Sequence, residues 1–155
     1  ARGRARRCDG AAESGRDVTP IVCDASVVVA WLVDEAGSSL AQRLPHGTAP
    51  LLAPTILLAE TTNALLTRMR RGEVLPPGYP EVPIAALQAG SIEFTPDPDL
   101  LDSAMTIARR LGHPICDCFY LALCRRAEAM LATFDARLAR HATTLAIPLW
   151  RPEDA

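Results

Sequence analysis

Residues 21 to 32 read I-V-C-D-A-S-V-V-V-A-W-L, a short apolar run cut off by one acid, Asp24. An apolar run without polar alternation, this short and preceded by Pro20, predicts a parallel strand covered on both faces. Asp24 then leaves the sheet at the strand's carboxyl end. In open α/β sheets that edge collects ligands and chemistry, above all where the strand order reverses. Ser26 is placed to cap the helix that follows, with Val27 to Leu32 as its body.

The same punctuation returns near the other end of the chain. Met130 to Thr133 predicts a strand, T-F-D ends it at Asp135, and a helix follows over Arg137 to Ala142. Between these two units Pro50 to Ala53 and Ser91 to Phe94 predict further strands, and Ile147 to Trp150 a short fifth. Helices are expected over Ser38 to Leu44, over Thr55 to Arg71 with Pro54 opening the first turn, and over Ile84 to Ala89. Another runs from a cap at Asp97 or Asp99 through Leu111, closed by Gly112. Strands alternating with helices predict an α/β/α sandwich with a central parallel sheet of four to five strands.

Two further acids stand out by their surroundings. On a helical wheel of about 100° per residue, the Thr55 to Arg71 segment is apolar over most of its circumference. Glu60, Asn63, Thr67 and Arg71 share one narrow sector, so a mostly buried helix is expected to present a carboxylate on its single wet face. Asp117, in H-P-I-C-D-C-F-Y-L-A-L-C, lies in the first turn of a helix, above an apolar stripe of Leu121 and Cys124. A plain N-terminal cap is the competing explanation for Asp117, since carboxylates suit that end of the helix dipole.

Composition narrows the function classes. The chain of 155 residues fits one domain, expected over 18–155. Residues 1–17 carry Arg2, Arg4, Arg6, Arg7 and Arg16 without hydrophobic periodicity, and are expected to be a disordered leader or an upstream-translated extension. No run has the ~20 apolar residues of a membrane helix, and no signal-peptide core is present. Five cysteines at unpaired spacings suit a reducing cytoplasm, and C-x-C at Cys116 and Cys118 lacks the partners of a zinc site. All 16 basic residues are Arg. Without Lys, neither a P-loop nor a phospho-receiver site can be assembled, and no glycine-rich dinucleotide turn follows the first strand.

The four acids Asp24, Glu60, Asp117 and Asp135 are thus expected at one edge. Carboxylates brought close together in a partly buried site must protonate or bind a cation. An oxygen-only ligand set favours Mg²⁺ or Mn²⁺. Such a cation acidifies water into a nucleophile and offsets the charge that builds on a phosphodiester under attack. Paired histidines are the metal-free alternative for cutting RNA. His46, His113 and His141 are far apart in sequence and share no motif, and His113 before Pro114 reads as a surface turn.

Four stretches, I-V-C-D-A-S-V-V-V-A-W-L, A-P-T-I-L-L-A-E-T-T-N-A-L-L, I-C-D-C-F-Y-L-A-L-C and M-L-A-T-F-D-A-R-L, in this order, resemble the motifs of PIN domains, in particular the VapC-type toxins of bacterial toxin-antitoxin pairs. The resemblance covers about Pro20 to Trp150. It implies a PIN-like α/β/α sandwich and a divalent-metal-dependent endoribonuclease. By motif matching, Asp24, Glu60, Asp117 and Asp135 are the implied catalytic and Mg²⁺-binding acids, with Mn²⁺ as a substitute and Ser26 and Thr133 as supporting polar residues. The implied partners are an RNA substrate, a second copy in a homodimer and a cognate antitoxin whose tail enters the acidic groove. Cys118, Phe119 and Phe134 depart from the usual pattern and are expected to alter groove shape or substrate choice. Arg68, Arg70, Arg71, Arg109, Arg110, Arg125 and Arg126 supply basic charge near helix ends, none of them singled out. A module that binds RNA or protein without turnover is the alternative. An aspartyl-phosphate phosphatase is a weaker one, because Ser26 stands where that chemistry needs a second Asp.

Overall fold

The computed structural model describes residues 18–33 and 38–151. The expected leader at 1–17 and the tail beyond Arg151 lie outside the described residues. Four parallel strands, β1 (Ile21–Cys23), β2 (Leu51–Pro54), β3 (Glu93–Thr95) and β4 (Met130–Ala132), form one sheet in the order β3-β2-β1-β4. The chain moves outward from β1 through β2 to β3, then returns to the other side of β1 for β4. The order therefore reverses between β1 and β4, so Asp24 and Asp135 flank a topological switch point. The expected fifth strand is reduced to a single parallel bridge between Leu131 and Leu149.

All three residues of β1 are buried, as expected of a strand covered on both faces. The helices are α1 (Ala25–Leu32), α2 (Ser38–Ala41), α3 (Ile56–Arg70), α4 (Glu81–Ala86), α5 (Leu101–Leu111), α6 (Ile115–Ala127) and α7 (Ala136–Thr144). Helix α6 is the central one, buried without interruption from Cys118 to Cys124 and packed on β1, β2, β4 and α5. A helix apolar all round belongs in the core, so Cys118 and Phe119 fill the interior and cannot shape a groove.

Several local expectations need correction. Asp24, not Ser26, caps α1: its Oδ1 accepts the Val27 amide at 3.1 Å, and the helix begins at Ala25, two residues earlier than expected. Pro54 closes β2 instead of opening α3. Neither Asp97 nor Asp99 caps α5. A 3₁₀ turn over Asp97–Leu100 intervenes, and Asp97 Oδ1 accepts the Ile56 amide at 3.0 Å across 41 residues, holding the start of α3. Nor is α3 mostly buried. Its buried ridge is Leu57, Thr61 and Leu65, spaced by four, while Leu66 and Met69 are exposed. Gly112 ends α5 as expected, in the left-handed conformation at φ 60° that a glycine tolerates best.

Candidate active site

Asp24 follows the last residue of β1 and is 5% exposed. Its Oδ1 accepts the Ser26 hydroxyl at 2.6 Å, and its Oδ2 accepts the Thr133 hydroxyl at 2.6 Å from the far side of the switch point. Thr133 Oγ1 in turn accepts the Asp135 amide at 2.9 Å, and Ser26 Oγ accepts the Phe134 amide at 2.9 Å. Two hydroxyls thus lace the end of β1 to the loop after β4. Burial raises the Asp24 pKa, although the Ser26 and Thr133 hydroxyls and the Val27 and Ser26 amides oppose the shift.

Glu60, half-buried on α3, accepts a 2.5 Å hydrogen bond on Oε2 from the phenol of Tyr120. Tyr120 is one turn beyond Asp117 on α6, so one helix carries both an acid and the clamp on another acid. Burial pushes the Glu60 carboxyl upward, Tyr120 opposes that, and the charges of Asp117, Asp24 and Asp97 push it further up. Glu60 therefore lies in the field of two of the other expected acids. Asp97, read from sequence only as a helix cap, joins the negative field around Glu60.

Asp117 does not cap α6, whose first turn it occupies. Its Oδ2 lies 2.6 Å from His113 Nε2. His113 is 8% exposed, not a surface turn residue, and its ring lies 4.3 Å from that of His141 on α7. The fold thus joins two histidines that the sequence separates. Burial lowers the His141 pKa, helped by His113, Arg137 and Arg140, which favours the neutral ring.

Asp135 differs from the other three in its exposure and its local role. It is exposed and caps α7, its Oδ1 accepting the amides of Arg137 at 2.6 Å and Leu138 at 3.1 Å. Slight burial raises its pKa, but those amides and the Arg137 and His113 charges outweigh it, and the carboxyl ends below its ordinary value.

The donor chemistry fits a hard divalent cation: oxygen-only ligands, and a half-buried carboxylate raised first by burial and then by its acidic neighbours. As the side chains lie, no three His, Cys, Asp or Glu among the described residues stand close enough to form a ready cage. Each acid is instead held from behind, Asp24 by Ser26 and Thr133, Glu60 by Tyr120, Asp117 by His113. Such outer partners orient ligands in metal sites. Beside this edge, a groove of about 580 Å³ runs between α1 and α3 from Ser26 and Phe134 to Arg71.

The PIN domain family profile matches residues 21–143. Among solved structures the chain is similar to PAE2754 from Pyrobaculum aerophilum, with 21% identity over 80% of either chain and a TM-score of 0.63. It is also similar to VapC20 of Mycobacterium tuberculosis, described as a sarcin-ricin-loop-cleaving toxin. That match has 19% identity over 77% of this chain and 93% of the other, and a TM-score of 0.60. FitAcB from Neisseria gonorrhoeae matches at 15% identity over 86% of this chain and 98% of the other, with a TM-score of 0.49. A comparison with curated proteins finds no match. The structural likenesses concern the fold.

Proposed function

Since the chain belongs to the PIN domain family, we propose that it is a divalent-metal-dependent endoribonuclease and the toxin of a toxin-antitoxin pair. The observation that carries this reading is the convergence of α3, α6 and β1, which bring Glu60 within the negative field of both Asp117 and Asp24. Those three acids, with Asp135 at the rim, are the residues that would hold Mg²⁺ or Mn²⁺. When bound, the cation supplies an activated water and positive charge against the developing phosphate charge.

The protein's own contribution is orientation. Ser26 and Thr133 keep Asp24 facing the edge, and Tyr120 and His113 each occupy one oxygen of their acid. Glu60 Oε1 and Asp117 Oδ1 have no hydrogen-bond partner among the described residues, and these are the oxygens left to turn toward a cation. The phosphatase alternative is disfavoured because Ser26, which donates to Asp24, stands where that chemistry needs a second Asp.

The toxin reading brings a cognate antitoxin, a homodimer and a cytoplasmic setting with it. Exposed Leu66 and Met69 on α3 supply apolar surface for such contacts. No helix among the described residues is long and apolar enough to cross a membrane. The open spacing of the acids favours a second reading, a module that binds RNA or protein without turnover.

Incubating purified, antitoxin-free protein with total cellular RNA in Mg²⁺ or Mn²⁺, beside an EDTA control, separates these readings. Discrete fragments in metal alone support the nuclease. Binding without fragments supports the module, and fragments that persist in EDTA shift the chemistry to His113 and His141.

A further inference from the structure

We propose that the groove between α1 and α3 is a subsite for a single-stranded segment of the RNA substrate, with the Phe134 ring as stacking platform for a base beside the cleaved bond. The proposal rests on the nuclease reading above and adds how the strand is held. Of the three departures from the family pattern, Cys118 and Phe119 are core residues, whereas Phe134 is 43% exposed and lines the groove. The phenyl ring therefore does little for the core, yet its backbone is tightly placed. The Phe134 amide donates to Ser26 Oγ at 2.9 Å, and Ser26 Oγ donates to Asp24 Oδ1 at 2.6 Å. Its neighbours are Thr133, which holds Asp24, and Asp135, which caps α7. Two hydrogen bonds thus fix the loop that carries this aromatic ring to a carboxylate of the candidate centre.

The groove suits an RNA strand by charge and by length. None of its lining residues is acidic, in contrast to the edge it adjoins, and Arg68 and Arg71 line its far end. Arg68 is occupied by Glu73 at 2.9 and 3.0 Å, so Arg71 is the cation assigned to a phosphate. Asn63 lies between, offering a side-chain amide to sugar or base edges, while the Thr67 hydroxyl is committed to the Asn63 carbonyl at 2.7 Å and to Arg70 at 2.8 Å. Asn63 to Arg71 spans about 12 Å of helix at 1.5 Å per residue. A free base stacks on an aromatic ring whatever its identity, while bases in a duplex are already stacked, so the platform selects single strands.

Fluorescence anisotropy with a short mixed-sequence single-stranded RNA tests this, in the Asp24→Asn background so that nothing is cut. Phe134→Ala and Phe134→Leu should each weaken binding by about five- to a hundredfold, while Phe134→Trp should bind at least as tightly as the parent. Equal melting temperatures across the series establish that all variants are folded. Unchanged binding by Phe134→Ala, or full rescue by Leu, overturns the stacking platform. Unchanged RNA binding with a dimer that dissociates in Phe134→Ala overturns it in favour of a second copy of the chain. If the unmodified protein cuts RNA in metal while Phe134 is indifferent, the subsite alone fails. If it neither binds nor cuts any RNA, the nuclease reading fails and the subsite with it.

Discussion

His113 Nε2 lies 2.6 Å from Asp117 Oδ2, and the side chain of His113 is almost wholly shielded from solvent. The contact joins the turn after α5 to the first turn of α6. Through its neighbour His141, it also ties Asp117 to α7. One oxygen of Asp117 is thereby held by His113.

Removing that support should weaken metal binding more than folding. His113→Ala is expected to lower Mn²⁺ affinity by about ten- to a hundredfold, the usual cost of losing an outer-shell partner. Titration calorimetry with Mn²⁺ measures it, and His113→Gln, which can still donate, should recover part of the loss. An affinity unchanged in His113→Ala would show that Asp117 needs no such holder.

Asp24→Asn should abolish RNA cleavage and at the same time raise the melting temperature of the metal-free protein at neutral pH. Burial disfavours the Asp24 charge, so removing the charge relieves the fold while removing a ligand. Thermal denaturation in EDTA checks the second half. A variant that melts lower than wild type would mean that the Ser26 and Thr133 hydrogen bonds outweigh the burial cost.

The pH dependence of stability has opposite signs at different acids. Asp24 and Glu60 have raised pKa values, so between the unfolded and folded values the native protein binds more protons. Metal-free stability should therefore fall as pH rises through that window. Asp135 is lowered, and its contribution is present above its unfolded value and lost as pH falls through the folded one. Melting curves against pH should show the loss attributable to Asp24 and Glu60 in EDTA and its disappearance in Mn²⁺, where the cation takes the proton's place. Identical profiles with and without Mn²⁺ would contradict this.

Thr61 offers a test of the fold away from the chemistry. Its hydroxyl is buried on the Leu57–Leu65 ridge of α3 without a hydrogen-bond partner. Thr61→Val should stabilise the protein by about 1 kcal/mol, because an unpaired buried hydroxyl costs more than a methyl of similar shape. For a domain of this size that is a rise of roughly 2–4 °C in melting temperature.

The sheet was legible because β1 and β4 are apolar runs ended by acids, and period and punctuation suffice for such elements. The strand order β3-β2-β1-β4, and hence the switch point, is not fixed by that alternation, because it depends on which strands pair across the sheet. Sequence periodicity misjudged α3, since Leu66 and Met69 are apolar yet face solvent, and a wheel records side-chain character without recording what lies opposite. It could not see the pairing of His113 with His141, nor Asp97 beside Glu60, because both depend on how separate elements pack. Local spacing did carry some of the outer partners, Ser26 two residues from Asp24 and His113 four from Asp117, whereas the Tyr120 bond to Glu60 spans 60 residues and depends on how α3 and α6 pack. Asp135 was read as ending a strand, and the structure adds that one of its oxygens caps α7.

The centre itself is tested most directly by crystals of the protein soaked in Mn²⁺, with anomalous scattering used to locate the ion. The predicted result is a peak bounded by Asp24, Glu60 and Asp117, with the Tyr120 and His113 hydrogen bonds retained behind them. No peak at this edge, or Mn²⁺ held only elsewhere on the molecule, would contradict the metal-dependent nuclease.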